Sequence, residues 1–153
     1  MSNTYITALT ESLEKKVEVL TQIKRKNEEQ SKIIEEPNFS FEKFDINTEE
    51  KGVLIYKLEK LDDGFEMVYE KVREELNLNK DAYKDEIKRM QDLITKITEL
   101  STCIQAQELR NKTAVESVFK SERDRIKATR SGAKALKSYS DSMTIGKNLK
   151  NIL

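Results

Sequence analysis

The residues that carry most protein chemistry are thin in this chain of 153 residues, which has no His, no Trp and a single Cys. Without His, the usual general base at neutral pH and the commonest metal ligand are both missing. Cys103 has no imidazole to activate it and sits beside Ile104 in an apolar helical pattern, which suits a packed thiol rather than a nucleophile. Asp62-Asp63-Gly64 has the start of a calcium loop, but the further oxygen ligands do not follow, so a solvated helix face is the expected setting for the two carboxylates. There is no Gly-rich phosphate loop and no dinucleotide fingerprint. The remaining carboxylates stand beside Lys and Arg at helical spacing, where solvated i,i+4 pairs explain them. These residues predict neither an enzyme nor a bound cofactor or metal.

Charge narrows the partners. Lys plus Arg (28) equals Asp plus Glu (28), so the overall balance points to neither nucleic acid nor membrane. Residues 120–153 nevertheless hold nine basic and three acidic residues, a net +6 that is matched by −6 over residues 1–119. Phosphate could be drawn to such a region. Its charges are scattered around the helix, however, and Tyr139 is the only aromatic of the last 23 residues, which makes a poor stacking platform. Bulky apolar residues are too few for a membrane-surface helix, and no stretch approaches the roughly 18 apolar residues of a membrane span. A lone Cys and an N-terminus without a basic start and apolar run predict a soluble, cytoplasmic protein. Nucleic acid and direct membrane insertion are not expected.

The elements that would position any binding residues are helices. Charged residues make up 37% of the chain, with only 4 Gly and 1 Pro, the profile of long helices and coiled coils. A first helix is expected over about 3–35, with Ile6, Leu13, Leu20 and Ile34 in one heptad column and Leu9 and Ile23 in the other. Lys16, Asn27 and Gln30 interrupt this seam, either to fix register or, the favoured reading, because the partner helix ends there. Pro37 stops the helix. The following segment carries Phe39, Phe41, Phe44 and Ile46, rings expected to dock back on the helices, with an exposed partner-binding patch as the alternative.

A second helix is predicted over 47–76, opened by an Asn47-x-x-Glu50 capping pattern and carrying Leu54, Leu58, Leu61, Phe65, Val68 and Val72 at 4-3-4-3-4 spacing. Gly64 lies inside it, either tolerated or marking close packing. The third helix should run from about 80 to 130. Tyr83, Ile87, Met90, Ile94, Ile97 and Ile104 keep phase, but beyond Ser101 the columns hold Glu108, Asn111 and Glu122, with Val115 and Val118 as the chief apolar members. A 50-residue helix is about 75 Å long, so its last third should overrun the hairpin of the first two. Residues 131–153, after Ser131-Gly132, read as a mobile C-terminal tail. The fold class expected is all-α: an elongated antiparallel hairpin or three-helix coiled coil with a long third helix, residues 1–130, followed by that tail.

This arrangement resembles the FlgN-type flagellar export chaperones. The match is clearest in the second helix, Thr48-Glu49-Glu50-Lys51-Gly52-Val53-Leu54-Ile55-Tyr56-Lys57-Leu58-Glu59-Lys60-Leu61-Asp62, with its acidic entry, Glu-Lys, run of aliphatics and Leu-x-x-Leu-Asp. The early Leu-x-x-x-Leu of helix one and the stretch ending in Tyr139 also fit. The resemblance implies a cytosolic chaperone that packs against the terminal helices of hook-associated junction proteins, prevents their premature assembly and delivers them to the cytosolic domain of the export-gate membrane protein. It places cargo binding toward the C-terminus and an aromatic gate contact there, for which Tyr139 is the candidate. Val115, Val118, Phe119, Ile126, Leu136 and Met143 supply helix-in-groove anchors for cargo. Val115, Val118 and Phe119 could equally be core, packed on the long loop or on a second copy in a homodimer. The alternative function is a structural coiled-coil scaffold or homo-oligomeric adaptor.

Overall fold

The computed structural model describes residues 2–125, all in three helices and their short connections: α1 (Ser2–Glu35), α2 (Phe41–Leu78) and α3 (Lys84–Arg125). No strand occurs among the described residues. The fold is all-α and built by helix packing, as the composition and heptads require.

Each boundary has a local cause. α1 ends at Glu35 because Pro37 disfavours helical backbone at Glu36. α2 begins at Phe41, six residues before the expected start at Asn47. Ser40 is its N-cap, in extended backbone, with Oγ accepting from the Lys43 N–H at 3.1 Å. Asn47 cannot serve as a cap because it is already buried inside the helix, where its Nδ2 donates to the Lys26 carbonyl at 3.0 Å. At the other end the Asn79 N–H donates to the Glu75 carbonyl, and a tight turn over 79–83 leads into α3. Asp85 and Glu86 lie in the first turn of α3, where the positive end of the helix dipole favours them. Gly64 has open space around it, so it is tolerated in α2 rather than required by close packing.

α1 is the hub. Ser12 and Lys16 reach Leu61 and Asp62 while Lys26 meets Asn47, so α2 runs antiparallel to α1. Asn27 meets Gln107 and Gln30 meets Asn111, so α3 runs parallel to it. No Cα of α2 lies within 8 Å of any Cα of α3. The three helices thus occupy three corners of a square in which α2 and α3 are diagonal.

The core forms in two parts. The larger joins Ile6, Leu9, Leu13, Leu20 and Ile23 of α1 to Leu54, Ile55, Leu58, Val72 and Leu76 of α2 and to Met90, Leu93, Ile97 and Ile104 of α3. Leu93 takes the buried seam position in place of Ile94, which was expected there and is 45% exposed. The smaller joins Ile33, Ile34, Phe44, Val115 and Phe119.

Between them lies a buried polar layer. Asn27 Nδ2 donates to Gln107 Oε1 (3.2 Å), and Asn111 Nδ2 donates to the Asn27 carbonyl (3.0 Å) and Gln30 Oε1 (3.1 Å). The polar seam positions therefore do not mark the end of the partner helices, since both neighbours continue past them. They are paired across the interface, and such pairing selects a register because any slip strands buried amides. The same pairing explains the dilute columns after Ser101, and the overrun expected of the last third of α3 begins where α1 stops. Ser101, Gln107, Glu108 and Asn111 are buried, and α3 passes the level of Glu35 only near Glu116, leaving an overhang of about 13 Å to Arg125.

Candidate functional site

Three features could receive a partner: the far end of the bundle, the outer face of α2, and the diagonal between α2 and α3.

At the far end, α3 delivers Val115 and Phe119 and the aromatic segment before α2 meets them. Phe41 stacks on Phe119 (centroids 5.4 Å apart, planes 7° apart), and Phe39 and Phe44 approach the same ring edge-on at 5.6 and 5.7 Å. Offset and edge-on arrangements suit the quadrupoles of the rings. Val115 is fully buried and Phe119 is 5% exposed, with Val118 packed alongside. Of the anchors expected for cargo, these three are brought together, and they sit in the smaller core beneath the roof of Phe39 and Phe41. Docking of the rings is the outcome expected for Phe39, Phe41 and Phe44, whereas Ile46 points outward and is 50% exposed. Ile126, Leu136, Tyr139 and Met143 lie outside the described residues.

Just below this end, Lys51 Nζ of α2 meets Glu108 Oε1 of α3 at 2.6 Å, with 0% and 6% of the two side chains exposed. Burial lowers the Lys51 pKa from its ordinary 10.5, and the Glu108 charge and hydrogen bond oppose that shift. With Phe44 and Phe119, this pair bridges α2 and α3 and closes the diagonal at that level.

Farther down the diagonal is open. Ser12, Leu13 and Lys16 of α1 form the floor of a cleft of about 520 Å³, with Asp62, Asp63, Phe65, Glu66 and Tyr69 on the α2 wall and Ile94 and Ile97 on the α3 wall. Phe65 and Tyr69 stack at 6.0 Å and 10°. Asp62 is not a solvated carboxylate as expected. Its Oδ1 accepts from Lys16 Nζ at 2.6 Å, and burial raises its pKa against the lowering effect of Lys16. Its Oδ2 is buried without a hydrogen-bond partner among the described residues. Asp63 is exposed. Sequence reasoning missed this cleft. The available signal was the adjacency of Asp62-Asp63 and Glu66 to Phe65 and Tyr69, but a heptad alone does not say which two helices leave a gap.

The outer face of α2 carries Ile46, Val53 and Met67 in one heptad column, 50%, 58% and 68% exposed, with Tyr56 beside them. By charge α2 is the acidic element, net −5 between Phe41 and Leu78, while α1 is neutral and α3 is +1. Among the described residues no group of three or more His, Cys, Asp and Glu is placed to hold a metal ion, and no helix is long and apolar enough to cross a membrane. Cys103 is half-buried on α3. No family model, curated protein or solved structure matches this chain.

Proposed function

We propose that this protein is a cytosolic export chaperone of the flagellar type III system, of the FlgN type, which holds hook-associated junction proteins by helix packing and passes them to the cytosolic domain of the export-gate membrane protein. The supporting observation is the build of the far end. The apolar face of α3 at Val115, Val118 and Phe119 extends to the level where α1 stops, and the segment at Phe39 and Phe41 roofs it. This roof is tethered on its exposed side by the Glu36–Lys43 ion pair at 3.4 Å, and exposed pairs contribute little. In this reading a cargo helix displaces the Phe39 and Phe41 rings and packs on the three anchors beneath. Ile126, Leu136 and Met143 lengthen that contact, and Tyr139 engages the gate.

The test is calorimetric titration of purified hook-associated junction proteins into the full chain and two variants. Phe39→Ala with Phe41→Ala removes the competing rings and should tighten cargo binding by about tenfold, as removal of a closed state does. Deletion of residues 131–153 should abolish cargo or gate binding while helix content and thermal melting stay nearly intact. Normal binding by the deleted chain, or its unfolding, would overturn the reading. Tyr139→Ala should weaken gate docking more than cargo capture; equal loss would move Tyr139 to the cargo site.

A second reading, a homo-oligomeric coiled-coil scaffold, draws on the exposed column of Ile46, Val53 and Met67. It requires self-association in sedimentation equilibrium that Val53→Glu removes.

A further inference from the structure

We propose that the open diagonal between α2 and α3 is a docking groove for one amphipathic helix of a separate protein that carries Lys or Arg along one flank. Three observations meet there. The first is architectural. α1 packs on both neighbours while no Cα of α2 comes within 8 Å of α3, which is a four-helix bundle with one corner vacant. A helix in that corner would pack on α2 and α3 at once, and the Lys51–Glu108 and Phe44–Phe119 bridges stop it above.

The second is apolar surface at the right places. Phe65 and Tyr69 present a stacked pair on one wall, and Ile94 stands 45% exposed on the other above the buried Ile97. The cleft of about 520 Å³ takes several side chains spaced at i, i+3/i+4 and i+7.

The third is charge, and it selects the occupant. The α2 wall holds Asp62, Asp63 and Glu66 against one cation of the floor, Lys16, which is already paired with Asp62. Glu59, Glu70 and Arg73 continue the same helical face, the last two paired with each other, whereas the α3 wall offers Ile94 and Ile97. One acidic wall and one neutral wall call for an asymmetric helix with its cations toward α2 and its apolar side toward the floor. Asp62 is already held by Lys16, so the exposed Asp63 and Glu66 are the acceptors for those cations. From Asp62 to Tyr69 the lined wall spans about two turns of α2, and a helix of about 14 residues covers it with about one turn to spare at each end.

This proposal does not rest on the export-chaperone reading, whose test lies at the opposite end of the bundle. The probe is a synthetic Leu/Lys amphipathic peptide of about 14 residues. Two controls accompany it, one with Glu in place of Lys and one with the same composition in an order that breaks the helical period. Each is titrated into the isotope-labelled full chain and followed by NMR.

The amphipathic Lys peptide is expected to shift Leu13, Phe65, Tyr69, Ile94 and Ile97. Asp63→Lys with Glu66→Lys, both at exposed positions, should weaken it by about tenfold or more, and Ile94→Glu should do the same. No binding, equal binding of either control, or shifts confined to Val53 and Tyr56 would overturn the proposal. So would a dimer of the free chain that Ile94→Glu dissociates, which makes the occupant a second copy. Groove resonances that move when residues 131–153 are removed would also overturn it, because the occupant would then be the chain's own C-terminal segment.

Discussion

Lys51 and Glu108 form an ion pair inside the bundle at a separation of 2.6 Å, and the effect of removing one depends on what becomes of the other. Either Lys51→Met or Glu108→Leu alone leaves a buried charge without its counter-ion and should cost about 3–5 kcal/mol. The double variant should be neutral or more stable than the parent, because an apolar pair avoids the desolvation of both ions. A double-mutant cycle by urea denaturation measures this, and additive losses would contradict it. The pH response has a definite sign. With its folded pKa lowered, Lys51 releases its proton from the folded chain before the unfolded chain does, at the ordinary 10.5. In the window between those two values the unfolded state binds more protons, so stability contributed at this site rises with pH; below the window both states are charged and the contribution is constant. Lys51→Met should flatten that rise in denaturation curves taken up to pH 10.5. The sequence marked Glu108, Asn27, Gln30 and Asn111 as polar intruders in the seam, but not their pairing. A heptad column tells which face of a helix is inward, while the partner depends on the register between helices about 80 residues apart.

At the scale of elements, α2 shows where local signals compete. Two capping patterns lie seven residues apart, and the tertiary environment decides between them: Asn47 is consumed by the Lys26 carbonyl of α1, so Ser40 opens the helix. The early start places Phe41 and Phe44 on the first turns of α2, facing Phe119. Docking of these rings could be foreseen from their density, but the six residues of helix that hold them could not, because Asn47-x-x-Glu50 looked the better start. The polar layer separates this aromatic end from the main core, so the two should open independently. Hydrogen exchange of the Phe39→Ala, Phe41→Ala variant should show faster exchange around residues 115–119 and the first turns of α2, with protection at Leu58 and Ile97 unchanged. Loss of protection throughout would mean one cooperative core.

For the whole molecule, fold class was legible because 3-4 spacing, scarce Gly and a single Pro admit little besides long helices. The arrangement was not legible. A long third helix was expected to project beyond the hairpin over its last third, and α3 does pass the end of α1 near Glu116; the dilute stretch before that point lies along α1, since its polar residues answer those of α1. Which pair of helices would stand apart, and thus where the cleft would open, follows from the widths of three apolar faces together and from no single one. The parallel α1–α3 interface also has a kinetic side. Asn111 meets Asn27 and Gln30 across 84 and 81 residues of intervening chain, whereas α1 and α2 meet across a five-residue connection. Closing the longer loop is entropically the costlier step, so α3 should zip onto a preformed α1–α2 pair late in folding. Asn111→Ala should then speed unfolding while leaving the refolding limb of the chevron unmoved; a slowed refolding limb would place this contact in the nucleus. The amides that hold α3 in register would accordingly govern how long the assembled bundle lasts rather than how quickly it forms.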